Sequence, residues 1–252
     1  MLEPRRDRRP ESQRRLTVHL ARGEAEIAEA QRLRYRVFAE EMGARLPNAE
    51  EGIDRDRFDP WCEHLLVTEE DTGEVVGTYR ILTGEAAERI GGFYSEQEFD
   101  LARLRYLRDR AVEIGRSCVH PDHRSGAVIA LLWSGLADYM QRTGSEYLLG
   151  CASMSMLDGG HAAAAAYARI RESHLSPMEY RVFPHCPLPL HELNQSGAAA
   201  IPPLIKAYLK VGAYVCGEPA WDPDFNTADL LMLLPLSRVD ERYAKHFMRN
   251  AG

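Results

Sequence analysis

At 252 residues, with 45% hydrophobic and 27% charged side chains, the chain has the composition of a soluble globular protein and can bury a substantial core. Its net charge of −7 argues against nucleic acid as a partner, and its five cysteines (Cys62, Cys118, Cys151, Cys186 and Cys216) show neither C-x-x-C pairing nor metal-ligand spacing. No metal site is therefore expected, the thiols read as reduced and cytosolic, no apolar run approaches the roughly 18–20 residues of a membrane span, and no signal peptide precedes the domain.

Residues 1–15, MLEPRRDRRPESQRR, hold six arginines and two prolines with almost nothing to bury, which predicts a mobile basic tail. Such a tail is either a solvated extension or a segment drawn to anionic headgroups or an acidic partner. Residues 16–20 read as a short strand and 25–42 as an amphipathic helix carrying the RYRVF run, with Gly43 as its C-cap. An acidic stretch, EEGIDRDRFD, follows. Two strands, 64–68 and 75–82, then flank a turn at Asp71–Thr72–Gly73. Residues 84–109 are mixed, and this region is rich in arginine at Arg103, Arg105, Arg108 and Arg110.

The organising stretch is AVEIGRSCVHPDHRSGAVIALLW, residues 111–133, read as a strand through His120, a turn, and a helix opening near Ser125. Regular alternation sets Glu113, Gly115 and Ser117 on one face and Ile114 and Arg116 on the other. A buried charge needs a partner or a task, and the helix opening is a ready anion site. Residues 147–153 form a further strand. Residues 154–196 (a Gly-Gly turn, an alanine-rich helix over 161–170 and a proline-dense loop) read as an insertion on the core. A helix over 202–211 ended by Gly212, strands at 214–216 and 230–234, and a closing helix over 241–248 complete a single domain, 16–252. Interleaved strands and helices make the class α/β or α+β around one twisted sheet.

Several of these pieces carry a resemblance. The strand–turn–helix is similar to the central strand and third helix of GNAT-type acyltransferases, with a degenerate phosphate loop at Arg124, Ser125, Gly126 and Ala127. RYRVF, then DRFD, then VGTYR, then EIGR, in that order, resemble the acyl-homoserine-lactone synthases and N-acyl amino acid synthases. HPDHRSGAVIALLW, YLLGCASM, PPLIKAYLKVGA, EPAWDPDFNTADLL and RYAKHF resemble the ornithine N-alpha-acyltransferases that make lyso-ornithine lipid. Residues 16–250 are covered. The resemblance implies a GNAT-like fold, one central mixed sheet flanked by helices. It also implies direct transfer of a 3-hydroxyacyl chain from acyl carrier protein to the alpha-amino group of L-ornithine. No cofactor is bound; 4′-phosphopantetheine arrives on the carrier.

Amide formation from a thioester needs a base and oxyanion donors. Glu113, beside Val112 and Ile114, is the candidate base, acting directly or through a water, with a pKa expected to be raised. Its alternative is an ion pair with Arg116. Arg124 and the N–H groups near Ser125–Ala127 are candidate phosphate contacts or a plain helix cap. Arg103, Arg105, Arg108 and Arg110 are a carrier-protein docking face or a solvated surface. By the synthase pattern Arg34, Asp56, Asp59 and Arg80 hold the acceptor. The second ammonium of ornithine calls for a further carboxylate, for which Asp222, Asp224 and Asp229 are candidates beside ordinary turn roles. Other readings are a different acceptor (glycine, glutamine or a homoserine-lactone precursor) or a silent acyl-carrier or lipid-binding module. The expected location is cytoplasmic, with peripheral contact at the anionic inner face of the membrane.

Overall fold

The computed structural model describes residues 15–197 and 199–239, so the expectations for the basic tail and for a helix over 241–248 lie outside the described residues. Ten strands are described: β1 (Leu16–Leu20), β2 (Glu63–Glu69), β3 (Val75–Thr83), β4 (Phe99–Asp100), β5 (Ala111–Val119), β6 (Tyr147–Ser155), β7 (Phe183–Pro184), β8 (Tyr214–Val215), β9 (Ala220–Asp222) and β10 (Thr227–Pro235). Helices are α1 (Glu24–Tyr35), α2 (Gly84–Ile90), α3 (Ala127–Thr143), α4 (His161–His174) and α5 (Pro203–Lys210). The main sheet runs β1-β2-β3-β5-β6-β10-β8, with β9 also on β10, while β4 and β7 pair separately. Only β5 and β6 pair in parallel. The helix between them, α3, is the crossover that a parallel pair requires.

Both faces of this sheet are covered, which is why β10 buries all nine of its residues and is apolar throughout Leu230–Leu234. On one face Val128, Leu132, Leu136 and Met140 of α3 pack over Leu65, Tyr79, Ile81, Val112 and Ile114. Ala163, Ala164, Tyr167 and Ile170 of α4 join the same core, so residues 154–196 share it with the sheet. The other face takes Ala30 and Leu33 of α1, with Val37 just beyond its end, against Leu66, and Leu104 and Leu107 of a 3-10 helix, Ala102–Arg110, against Ala111, Leu149 and Leu231. The expected helix over 25–42 is α1 followed by a π-helical turn, Arg36–Glu41. The strand β9, hidden in sequence between Pro219 and Pro223, owes its existence to the edge that β10 offers it.

Two irregularities of β5 shape the site. First, β5 and β6 pair at only three positions, from Ala111–Tyr147 to Glu113–Leu149, and then part although both strands continue. At the fork the Gly150 Cα faces the Ile114 carbonyl so closely that a Cβ would lie 2.2 Å from its oxygen, a distance only glycine permits. Second, the β3–β5 register steps from Thr78–Cys118 to Arg80–Gly115, leaving Arg116 and Ser117 opposite Tyr79 alone. This is a β-bulge with Arg116 at φ 51°, a left-handed conformation that costs energy outside glycine. The bulge overturns the expected alternation: Arg116 is turned onto the face of Glu113.

Candidate active site

A cavity of about 340 Å³ opens where β5 and β6 part, with Glu113, Arg116, Arg80, Tyr94, Cys151 and Asp229 among the residues of its wall. Glu113 is 4% exposed. A 3-10 turn, Tyr94–Gln97, holds its carboxylate. The Tyr94 N–H donates to Oε2 at 2.6 Å and the Ser95 N–H to Oε1 at 2.8 Å, and the Ser95 hydroxyl also donates to Oε1. Burial pushes the Glu113 carboxyl above its ordinary value, and the hydroxyl and N–H groups of the turn oppose it. The result is an oriented, buried carboxyl on the cavity wall, more basic than an exposed one. The expected rise in pKa is present, and the alternative ion pair with Arg116 gives way: the Arg116 guanidinium goes to Asp54 Oδ2 at 3.0 Å and Asp56 Oδ2 at 3.2 Å.

Beneath the cavity three arginines meet three aspartates. Arg34 Nε binds Asp54 at 2.8 Å and its NH2 binds Asp59 Oδ1 at 2.8 Å. Arg80 reaches Asp56 at 2.7 Å and Asp59 Oδ2 at 3.0 Å. Burial raises the Asp59 carboxyl, but Arg34 and Arg80 outweigh it and hold Asp59 below the usual carboxylate range. Arg34, Asp54 and Asp59 are essentially without exposed surface. Arg34 and Asp59 are therefore not acceptor contacts, as expected from the synthase pattern, but props under the floor. Their charges cancel in a dry setting where an unpaired one would be costly. Arg80 and Arg116 lie above them on the cavity wall, and Asp56 fastens both. Arg116 also lies 4.9 Å from the Tyr94 ring centroid and 4.7 Å from that of Phe225.

The expected phosphate contact Arg124 also lines the cavity, and it and most of the expected carrier-docking arginines already have partners. Arg124 forms a two-pronged pair with Glu41, at 2.6 and 2.7 Å, and also donates to the Val119 carbonyl. Gly126, at φ 102°, caps α3 without a side-chain bond, leaving the first N–H groups of the helix, from Ala127 on, without a side-chain cap. Of the arginine-rich segment, Arg108 binds Glu96 at 2.5 Å, Arg110 binds Glu146 at 3.0 Å, and Arg103 lies over the Phe183 ring. Arg105 is exposed. Three of the four thus already tie the 3-10 helix to its neighbours.

Of the three aspartates weighed for a second ammonium, Asp229 and Asp222 line the cavity, while the Asp224 N–H donates to Asp222 Oδ1 in a turn. Sequence reasoning missed Asp54, Ser95, Glu98 and Cys151. Asp54 stood in the same acidic run as Asp56; the others had no local signal, because strands far apart in sequence bring them together. Cys151 is no nucleophile. Burial, with Glu98 and Asp229 beside it, drives its thiol well above the usual value, and Cys62 is pushed up to about 12 by burial.

Comparison with known proteins agrees with this architecture. Residues 33–134 match the Acetyltransferase (GNAT) domain family. Among solved structures, FeeM, an N-acyl amino acid synthase from uncultured soil microbes, superposes with a TM-score of 0.53 at 13% identity, covering 89% of this chain and 92% of that one. The AHL synthase LasI gives 0.52 at 13% identity, covering 88% and 91%. These likenesses concern the fold. Closer in sequence is the L-ornithine N(alpha)-acyltransferase of Rhodobacter capsulatus, 40% identical over 92% of this chain and 94% of the relative. That of Brucella abortus is 38% identical over 94% and 90%. With such relatives matched end to end and a GNAT sheet forked beside a buried glutamate, the chain is an acyltransferase of the L-ornithine N(alpha)-acyltransferase family.

Proposed function

We propose that this enzyme moves a 3-hydroxyacyl chain from the 4′-phosphopantetheine thioester of acyl carrier protein to the alpha-amino group of L-ornithine, giving lyso-ornithine lipid. The observation that carries the reading is Glu113, buried, raised in pKa and oriented by Tyr94 and Ser95 at the fork of β5 and β6. Kinship with the named relatives supports ornithine as acceptor.

In this reading the thioester arm lies in the fork, where main-chain N–H groups released from cross-strand pairing face the reacting carbonyl and stabilise its oxyanion. The neutral alpha-amine attacks the carbonyl carbon. Glu113 takes the proton from the attacking nitrogen as the N–C bond forms. The C–S bond then breaks, and the leaving thiolate takes up the proton that Glu113 removed, giving the free phosphopantetheine thiol and restoring the carboxylate. Arg116, fixed by Asp54 and Asp56 and facing the cavity, attracts the acceptor carboxylate. No covalent enzyme intermediate is needed.

A carrier-protein donor, rather than coenzyme A, suits a loop around Arg124, Ser125 and Gly126 with few glycines, because a single phosphodiester demands less close backbone approach than a pyrophosphate. Exposed Arg105 and its neighbour Arg103 supply positive charge for an acidic carrier. The reaction is cytoplasmic, with the basic residues 1–15 drawn to anionic lipid at the inner face. Among the described residues no helix is long and apolar enough to cross a membrane. The decisive experiment is mass spectrometry of products from purified protein, acyl-loaded carrier protein and a mixture of free amino acids. Acyl-ornithine as the main product supports the reading; a glycine or glutamine adduct in its place overturns it.

A further inference from the structure

The 3-10 turn that orients Glu113 carries at its far end a second carboxylate, Glu98, which points into a group with Asp222 of β9 and Asp229 of β10. One oxygen or more from each lies within 4.8 Å of the others. Three negative side chains brought this close repel one another unless a cation or a shared proton stands between them.

Asp229 is 4% exposed and sits on the cavity wall, yet its Oδ1 has no hydrogen-bond donor. Both Glu98 oxygens are likewise shut from solvent without a donor in good hydrogen-bond geometry, although the Cys151 thiol stands beside Glu98 and the Ser153 and Thr227 hydroxyls stand beside Asp229. Buried acceptors left without donors are costly, so the retention of Asp229 at the wall of the reaction cavity, with Glu98 within 4.8 Å of it, points to a ligand that brings donors with it. Asp222 differs: its Oδ1 already accepts from the N–H groups of Asp224 and Phe225, which fixes that side chain in place.

Spacing identifies the ligand. Ser95, which holds Glu113, and Glu98 are three residues apart in sequence, and 3-10 geometry puts such residues on one face about 6 Å apart. Cys151 bridges the gap, its Sγ 3.3 Å from Ser95 Oγ and its thiol beside Glu98. The two nitrogens of a 2,5-diamino acid are also separated by about 6 Å when its five single bonds of roughly 1.5 Å are extended. An alkylammonium offers three N–H donors, matching three carboxylates. A hard divalent cation asks for six or more oxygen ligands, and here three carboxylates stand with a thiol, a poor ligand for such an ion, beside Glu98.

We propose that Glu98, Asp222 and Asp229 form the subsite for the side-chain ammonium of the acceptor, selecting a diamino acid and setting its alpha-amine at Glu113. This rests on the reading of the site as an amino-acid N-acyltransferase with ornithine as acceptor.

The test competes L-ornithine against L-norvaline, which has the same carbon chain without the terminal amine, using full-length enzyme and acyl-loaded carrier protein in chelator-treated buffer. Wild type is expected to favour ornithine in kcat/KM by on the order of 10²-fold or more, since unpaired buried carboxylates penalise the analogue. Asp229→Asn and, separately, Glu98→Gln should each cut that ratio at least tenfold without lowering the melting temperature. An unchanged ratio in both variants, with acyl-ornithine still formed by wild type, overturns the subsite alone. Absence of acyl-ornithine from wild type overturns the acceptor reading and the subsite with it. Ornithine turnover that requires added Ca²⁺ or Mg²⁺, and loses that requirement in both variants, makes the cluster a metal site and overturns the proposal.

Discussion

Glu113 and Arg116 share one face of β5 although a regular strand sets residues three apart on opposite faces. The bulge at Arg116–Ser117 makes up the difference, and the strained φ of 51° at Arg116 is held by its bonds to Asp54 and Asp56. A base and a cation are thereby placed together on the wall of the cavity without neutralising each other.

If Glu113 takes the amine proton, Glu113→Gln removes the base; its single amide oxygen can serve the Ser95 donors, while its NH2 then faces the Tyr94 N–H. Turnover should fall by about 10²–10⁴-fold with the fold retained and the melting temperature lowered only modestly, by the loss of the Tyr94 bond. Higher pH should restore part of the rate, since more amine is then already neutral. A pH–rate profile beside a melting curve checks both; near-normal turnover at neutral pH would leave Glu113 without a role in proton transfer.

Arg34 is a prop, not a contact, so its loss should appear first in stability. Arg34→Met leaves the buried Asp54 with Arg116 alone and Asp59 with Arg80 alone, one cation short in a dry cluster, which should cost about 3–5 kcal/mol and lower the melting temperature by on the order of 10 °C. Thermal unfolding measures this directly. A variant that melts like wild type but fails to bind ornithine would return Arg34 to the acceptor site.

The pH dependence of stability should have two opposed parts. Asp59 is held below the ordinary range by Arg34 and Arg80, so its stabilising contribution is complete above about pH 4 and is lost as the pH falls through its folded-state value. Burial and mutual repulsion push Glu98 and Asp229 upward. They keep their protons in the folded state after the unfolded chain has ionised, so stability declines as the pH rises above about 4. The melting temperature should thus drop between about pH 5 and 8 in the wild type, and Glu98→Gln should flatten that drop. A parallel decline in both proteins would assign it to other groups.

Donor choice can be tested without disturbing the 3-10 helix. Arg108 must be spared because it binds Glu96, whereas Arg103→Glu with Arg105→Glu reverses exposed charge and gives up only the surface contacts of Arg103 with the Phe183 ring and the Met178 carbonyl. The double variant should raise the apparent KM for acyl carrier protein severalfold at low salt and flatten its salt dependence. Equal wild-type turnover with the acyl-coenzyme A and acyl-carrier donors at matched concentration would remove the case for a docking face.

Much of the scaffold was legible in the sequence because it rests on local rules. The β2–β3 turn at Asp71–Gly73, the strand leading to His120, the helix after Gly126 and the Gly212 stop each follow from apolar period and turn chemistry over a few residues. Glu113 stood out because a charge inside an apolar strand is costly wherever that strand is buried. The tertiary structure alone decided what depends on pieces distant in the chain. Alternation put Arg116 on the wrong face, since a bulge is set by the register against β3. Arg34 and Asp59 read as substrate contacts, since only packing reveals that nothing of them reaches the cavity. Glu98 carried no signal at all. Its meaning arises where a turn after α2, the short strand β9 and the last strand β10 converge, and the strength of carboxylate repulsion there depends on a separation that only the folded chain fixes.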